Sequence, residues 1–162
     1  MQKATLVFLV REGPPYEVLL GLKRVGFGAG KYTGLGGKVE AGETVEQAAA
    51  RELEEETGVK VLTEALRPVG SLAFLFPARP AWSQMVTVFL VERWAGEPVE
   101  SAEMNPVWFG VDELPFEQMW EDGAHWLPRV LAGERIAAWF TFGEDNESIE
   151  EVEMRAWEGE SV

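Results

Sequence analysis

Cysteine is absent from the 162-residue sequence, which excludes disulfide bonds and thiol chemistry. The absence fits the cytoplasm, where we expect the protein to act. Long hydrophobic runs are also lacking, because the longest, Ala4–Val10 and Met85–Val91, are far too short to span a bilayer. Met1-Gln2-Lys3 leads directly into a strand-like segment, so we expect neither a signal peptide nor a membrane partner.

Positive charge is scarce, since 14 Lys and Arg residues face 28 Asp and Glu residues and leave a net charge of −14. A phosphate backbone requires a basic surface, so we expect no nucleic acid polymer as partner. The excess of acids either serves solubility alone or includes carboxylates that hold cations for an anionic substrate. Repeats and low-complexity linkers are absent, and the length predicts one domain over residues 1–162, which we expect to be a monomer.

Short alternating or apolar segments predict seven strands. These are Thr5–Val10, Val18–Lys23, Val69–Phe76, Met85–Trp94, Val107–Val111, Arg135–Phe142 and Ile149–Trp157. A turn cluster, Arg11–Pro15, joins the first two, and Gly96–Pro106 reads as a polar loop. The pattern also predicts a helix over Thr44–Thr57, capped by Gly58, and one or two helical turns in Pro115–Ala132, interrupted by Pro128. This mixture predicts an α/β fold with helices on a mixed sheet.

The predicted helix carries carboxylates where apolar residues are expected. At 100° per residue, one side holds Val45, Ala48, Ala49 and Leu53. The opposite side holds Glu46, Gln47, Ala50, Glu54 and Thr57. Glu52, Glu55 and Glu56 share the apolar sector. Carboxylates this close repel one another, and a hard divalent cation such as Mg²⁺ would relieve the repulsion. Ordinary ion pairs with Arg51 or lysines are the alternative, which the helix alone leaves open.

A glycine-rich loop precedes this helix, with six glycines between Gly26 and Gly37. It has neither the spacing of a Walker A loop nor that of the GxGxxG dinucleotide motif. Glycine nevertheless lets backbone groups approach an ion or a phosphate closely. Lys23 and Lys38 flank this region and are candidates for contacting phosphate oxygens.

The segment GKVEAGETVEQAAARELEEETGV, residues 37–59, resembles the Nudix box at every position. The flanking segments GFGAGKYTGLGGK and PVESAEMNPVWFGVDELPFEQMW are similar to the MutT homologues that hydrolyse oxidised purine nucleoside triphosphates. The resemblance implies a Nudix fold, with a mixed sheet between helices. It also implies a Mg²⁺-dependent or Mn²⁺-dependent hydrolase that converts a nucleoside triphosphate to a monophosphate and pyrophosphate.

The same resemblance assigns roles to acidic residues. Glu52, Glu55 and Glu56 would bind the metal together with a backbone carbonyl at Gly36–Gly37, and Glu103 would assist them. Arg51 would pair with Glu43 and hold loop and helix together. Either Glu56 or Glu103 would take the proton of the attacking water. We favour Glu56, because it belongs to the rigid helix beside the metal.

Flat aromatic side chains near the loops suit a base pocket: Phe27, Phe74, Phe76, Trp120 and Trp126. Each alone is more typical of a core residue. In the subgroup that this sequence resembles, the positions of Phe27, Phe74 and Trp120 line the purine, and Trp120 stacks on it.

The hydrogen-bonding positions of that pocket depart from the subgroup. Thr33 replaces an asparagine, Gln84 replaces a methionine, and Asp122-Gly123 replaces two consecutive acids. We expect all three polar residues to contact substrate, but the preferred base stays open because a site discriminates only through the partners it has.

Two other functions are considered beside this one. The chain is either a Nudix hydrolase of another substrate, such as a dinucleoside polyphosphate, a nucleotide sugar or an ordinary dNTP, or a Nudix-fold module that binds nucleotide without catalysis. The intact set of box glutamates disfavours the second. His125, the single histidine, suggests packing or a surface turn rather than catalysis.

Overall fold

The computed structural model describes residues 1–13 and 16–159 and folds them into eight strands and two helices. The strands are β1 (Gln2–Arg11), β2 (Glu17–Lys23), β3 (Tyr32–Thr33), β4 (Arg67–Leu75), β5 (Gln84–Val91), β6 (Met104–Gly110), β7 (Ile136–Phe142) and β8 (Ile149–Ala156). The helices are α1 (Val45–Thr57) and α2 (Gly123–Leu131). Short 3₁₀ turns occupy Thr63–Ala65, Pro80–Trp82 and Phe116–Gln118.

The sheet is mixed, as the sequence predicts. β1 runs parallel to β5, and β4 runs parallel to β7. β4 and β5 are antiparallel, as are β7 and β8. β2 pairs with the end of β1 and extends the sheet to β3 and β6, both antiparallel to it. The glycine-rich loop therefore lies beside β1, which it meets in an isolated bridge between Val7 and Leu35.

Apolar side chains alternate between two cores, one on each face of the sheet. In β1, Phe8 and Val10 belong to the first core, whereas Val7 and Leu9 belong to the second. Helix α2 packs on the first core through Trp126, Leu127 and Val130. Helix α1 packs on the second through Ala49 and Leu53. The sheet therefore lies between helices, which confirms the predicted α/β/α arrangement.

Helix α1 ends where the sequence predicts. The Gln47 N–H donates to the Thr44 hydroxyl at 3.1 Å, and the Thr44 N–H donates to the Gln47 side chain at 2.9 Å, a capping box. Gly58 stops the helix with φ of 78°, and its N–H donates to the Glu54 carbonyl. The sequence places Thr57 on the polar side of the helix. This prediction is wrong, because Thr57 is buried and its hydroxyl donates to the Leu53 carbonyl at 2.8 Å.

Other predicted boundaries shift because pairing partners extend the strands. β6 begins at Met104, inside the predicted polar loop, since Met104 pairs with Lys23 of β2. β3 interrupts the glycine-rich loop. Helix α2 continues through Pro128, whose carbonyl accepts a hydrogen bond from the Ala132 N–H at 3.0 Å. Pro14 and Pro15 of the predicted turn lie outside the described residues.

Among the described residues, no helix has the length and apolar character needed to cross a membrane.

Candidate active site

The loop at Gly36 and Gly37 rests directly on the acidic side chains of α1. The Gly36 N–H donates to Glu56 Oε1 at 2.8 Å. Gly36 has φ of 140°, and a Cβ there would collide with the Thr5 carbonyl oxygen. A Cβ on Gly37 would lie 2.6 Å from the carboxyl carbon of Glu52. Gly36 therefore cannot be replaced without moving the backbone, whereas a side chain at Gly37 would push the Glu52 carboxylate away from the loop.

Of the three predicted metal-binding glutamates on α1, two are withdrawn from water. Glu56 is 5% exposed, and the Glu52 side chain is 18% exposed. Burial raises the pKa of Glu56 to about 8, with further contributions from the charges of Glu52 and Glu103, against the effect of the Gly36 hydrogen bond. Burial also raises the pKa of Glu52. Repulsion from the charge of exposed Glu103 contributes to the raised pKa of both carboxylates, but burial is the larger cause.

Glu55 departs from its predicted orientation. Its side chain is 58% exposed and accepts hydrogen bonds from Arg51 at 3.4 Å. In this structure Glu55 therefore forms an ordinary (i, i+4) ion pair with Arg51, which is the alternative to metal binding that the helix alone left open.

Arg51 links the helix to the loop. Its guanidinium donates to both oxygens of Glu43, at 2.6 and 2.9 Å, and to Glu52 at 3.0 Å. It also donates to the Lys38 carbonyl at 3.1 Å. The hydrogen bonds from Arg51 hold the pKa of Glu43 at about 2, well below its ordinary value. Arg51 thus connects the helix to the loop through Glu43, as the resemblance to the Nudix box implies.

The groups available as metal ligands at this end are all carboxylate or carbonyl oxygens, which suits a hard divalent cation rather than a soft one. In the described ranges, no three acidic or histidine side chains are arranged closely enough to hold an ion as they stand. Glu52 and Glu56 nevertheless lie against the Gly36–Gly37 backbone, in contacts that a Cβ would block. The residues present therefore fit a divalent cation, provided that Glu55 and Glu103 turn toward it.

A cavity of about 220 Å³ begins at this acidic end and extends toward α2. Glu56 and Gly37 line it, whereas Arg51, Glu52, Glu55 and Glu103 do not. All eight side chains predicted to bind substrate line it: Lys23, Phe27, Thr33, Lys38, Phe74, Gln84, Trp120 and Asp122. The structure thus brings together residues that are up to 99 positions apart in sequence, from Lys23 to Asp122.

The far end of the cavity is aromatic. Phe27 and Trp120 stack with ring centroids 5.2 Å apart and an interplanar angle of 30°. Asp122 is 6% exposed and accepts a hydrogen bond from the Trp126 indole N–H at 2.7 Å. Burial raises the pKa of Asp122 to about 6, although the Trp126 bond opposes the effect. The lone histidine, His125, is exposed and lies outside the cavity lining.

Comparison with known proteins identifies the family. A family model described as NUDIX domain matches residues 1–130. The chain belongs to the NUDIX family. It is 45% identical to a protein of Danio rerio named oxidized purine nucleoside triphosphate hydrolase, over 92% of this chain and 94% of the relative. A protein of Mus musculus with the same name is 40% identical over 96% of this chain and 97% of its own.

Solved structures show the same fold. The mutator MutT protein of Bacillus halodurans superimposes with a TM-score of 0.76, covering 95% of this NUDIX chain and 97% of its own, at 23% identity. This confirms the fold class predicted from the sequence.

The sequence reasoning does not identify two contributors to the NUDIX site. Thr5, inside β1, lines the cavity, and its hydroxyl lies 3.3 Å from the Gly37 carbonyl oxygen. Lys31 lies over the Trp120 ring at 5.0 Å and 3.6 Å from Glu147. A buried threonine in an apolar strand signals a polar partner in retrospect, but Lys31 and Glu147 meet only through the tertiary fold.

Proposed function

We propose that this chain is a divalent-metal-dependent Nudix hydrolase that converts an oxidised purine nucleoside triphosphate to the monophosphate and pyrophosphate. One observation carries the proposal: a single cavity runs from buried carboxylates and glycine backbone to an aromatic end. A polyphosphate suits the first end and a purine suits the second. The names of two relatives with 45% and 40% identity support the oxidised purine as the base.

Mg²⁺ is the proposed cofactor, with Mn²⁺ as a substitute. Glu52, Glu55, Glu56 and Glu103 would hold it together with the Gly37 carbonyl. When bound, such a cation neutralises phosphate oxygens and lowers the pKa of water in its coordination sphere.

The residues of the chain bind the phosphates, position the helix and accept a proton. Lys23 and Lys38 line the cavity, and within the described residues neither is held in an ion pair, although the charge of Lys23 lowers the pKa of Glu56. Both ammonium groups can therefore contact phosphate oxygens. Water attacks phosphorus, a new P–O bond forms, and the anhydride P–O bond breaks to release pyrophosphate. With a divalent cation bound, its positive charge would lower the raised pKa of Glu56 and keep the carboxylate ionised. Glu56 then accepts the proton of the attacking water from the position that the Gly36 N–H fixes at the cavity wall. Arg51 positions the helix and its glutamates against the loop.

Base binding falls to the aromatic end. Trp120 stacks on the purine, with Phe27 and Phe74 beside it. Stacking contributes about 1–3 kcal/mol per base but does not identify the base. Identification of the base requires polar contacts, which are supplied by Thr33, Gln84 and Asp122. A cytoplasmic location, a monomeric state and a single domain over residues 1–162 stay predictions.

A substrate panel tests the proposal. We expect Mg²⁺-dependent release of pyrophosphate from 8-oxo-dGTP and 2-hydroxy-dATP, faster than from dGTP, dATP and diadenosine polyphosphates, and no release in excess EDTA. Chromatography of the products distinguishes monophosphate plus pyrophosphate from diphosphate plus phosphate. Equal rates across the panel would contradict the oxidised-purine assignment, and absence of hydrolysis of every compound would contradict the enzyme assignment.

A further inference from the structure

Gln84 breaks the apolar pattern of β5. Val86, Val88 and Leu90 alternate along this strand and are buried in the core that contains α2. Gln84 begins the strand two positions earlier, on the same face. Gln84 lines the cavity. Its partner in the β4–β5 register is Phe74, another residue of the cavity lining. An uncharged polar side chain thus stands where the strand otherwise places aliphatic ones.

The amide of Gln84 is unused by the protein. Across the described ranges the Gln84 side chain makes no hydrogen bond to another residue, and its amide atoms are not fully buried, so a ligand in the cavity can contact them. The residue itself is half-buried. A glutamine amide offers two donors and one acceptor oxygen, so a ligand in the cavity meets a complete set of hydrogen-bonding groups.

Hydrogen-bonding capacity is scarce around this amide. Its partner in the neighbouring strand is Phe74, and the rings of Phe76 and Trp120 also line the cavity, whereas Thr33, Lys23 and Lys38 are among its few polar side chains. Asp122 already uses one carboxylate oxygen for the Trp126 indole N–H, and Gly123 contributes no side chain. A mostly apolar cavity with few polar groups takes its specificity from those groups.

We propose that Gln84 is a specificity-determining residue whose amide pairs with the adjacent N–H and C=O groups that oxidation places on a purine. The inference rests on the proposed function and adds to it a residue that distinguishes oxidised from unmodified bases. Oxidation at C8 or C2 converts an acceptor nitrogen and a C–H into a neighbouring N–H donor and carbonyl acceptor. A primary amide is complementary to that pair through two hydrogen bonds, one in each direction. On the same edge of the unmodified base, an acceptor nitrogen stands beside a C–H, so the amide keeps at most one hydrogen bond there. The N1–H and C6=O groups of guanine form a similar pair, but they lie on a different edge from C8.

Replacing Gln84 by methionine tests the proposal, because the side-chain length is kept and both hydrogen bonds are lost. The measurement is kcat/KM for 8-oxo-dGTP against dGTP and for 2-hydroxy-dATP against dATP. We expect Gln84→Met to lower at least one of these oxidised-to-unmodified ratios by about tenfold. Gln84→Glu keeps the size and the acceptors but removes the donors, and it is expected to lower the same ratio.

Gln2→Met is the matched control. Gln2 pairs with Gln84 in the β1–β5 register but is exposed and lies outside the cavity lining, so its ratios stay at the wild-type values. Unchanged ratios in both Gln84 variants overturn the proposal. A fall of equal size for every triphosphate also overturns it, since that result assigns Gln84 to the shape of the cavity alone.

A binding measurement separates this inference from the proposed function. Tryptophan fluorescence is titrated with 8-oxo-dGMP and with dGMP in the absence of metal, so that no hydrolysis is involved. Preferential binding of the oxidised nucleotide that disappears in Gln84→Met supports the role of Gln84 even where the wild type hydrolyses none of the triphosphates. Equal preference in wild type and variant overturns it even where hydrolysis is efficient.

Discussion

The two ends of the cavity are built in different ways. At the acidic end, Arg51 contacts Glu43 eight positions before it, Glu52 next to it and Glu55 four positions after it. All these residues belong to one continuous motif. At the base end, Phe27, Phe74 and Trp120 come from segments far apart in the chain. Charge and hydrogen bonds within a short segment therefore organise the proposed catalytic end, whereas packing between distant segments organises the proposed base pocket. Changes at the first end should abolish turnover, and changes at the second should alter which substrate is used.

The largest effect is expected from Glu56→Gln. The amide keeps an oxygen that accepts from the Gly36 N–H, so the loop keeps its support, but the negative charge and the proton acceptor are lost. We expect kcat to fall by about 10²–10⁴ for every substrate. Steady-state kinetics at saturating Mg²⁺ measure it, and thermal unfolding checks that the variant is folded.

Glu54→Gln, an exposed position on the same helix, is the control and should remain within about twofold of wild type. Retention of wild-type kcat by Glu56→Gln would remove Glu56 from the mechanism and give the proton-accepting role to Glu103.

The next effect concerns the pH dependence of stability through Asp122. Its pKa is raised to about 6 from 3.8, so between these values the folded chain keeps a proton that the unfolded chain has released. Stability therefore falls as pH rises from about 4 to 6, and the cost, about 3 kcal/mol, is complete above pH 6. Asn at this position still accepts from the Trp126 indole and carries no charge. We expect Asp122→Asn to become more stable relative to wild type across that interval.

Urea unfolding of both proteins at several pH values measures the difference, in which contributions from other groups cancel. Asp112→Asn, at an exposed site, provides the matched substitution. A difference between wild type and Asp122→Asn that does not vary with pH would show that folding does not raise the pKa of Asp122.

A smaller effect, confined to substrate binding, is expected from Trp120→Ala. Removal of the indole takes away the stacking surface beside Phe27 and leaves the acidic end unchanged. We expect KM to rise by about 5- to 150-fold, which corresponds to about 1–3 kcal/mol of stacking, with kcat within a few-fold of wild type. Trp120→Phe should recover part of the loss. A fall in kcat as large as the rise in KM would show that the two ends of the cavity are coupled in catalysis.

The sequence predicts the acidic end well because its information is local. The start of the helix at Thr44 and its glycine cap at Gly58 follow from the local sequence pattern, and the Arg51–Glu43 pair follows from the resemblance to the Nudix box. Glu55 is the exception. Helical periodicity fixes its direction from the axis, but the long side chain turns to Arg51 and solvent, which periodicity does not describe.

The base end is predicted residue by residue only through the family resemblance. Apolar alternation places Phe74 in a strand but cannot distinguish a core ring from a cavity wall, and Phe74 is in fact both buried and part of the lining. Strand boundaries such as Met104 depend on pairing with a distant strand, and the contact between Lys31 and Glu147 depends on a long-range approach of two loops. Interactions between segments distant in sequence leave no periodic pattern to detect.

The smallest effect is expected at that contact. Lys31 Nζ lies 3.6 Å from Glu147 and 5.0 Å from the centre of the Trp120 ring, so the ion pair places a cation over the stacking residue. The Glu147 side chain is 65% exposed, and exposed ion pairs contribute only about 0–1 kcal/mol. Glu147→Gln should therefore raise KM less than about fivefold, and the difference should vanish at about 1 M salt, where screening is strong. Glu144→Gln, exposed in the same loop, should leave KM at the wild-type value. Salt weakens an exposed ion pair but not a buried one. A large rise in KM that persists at high salt would therefore show that Glu147 acts as a buried charge in the enzyme with bound substrate, as the carboxylates of the acidic end do.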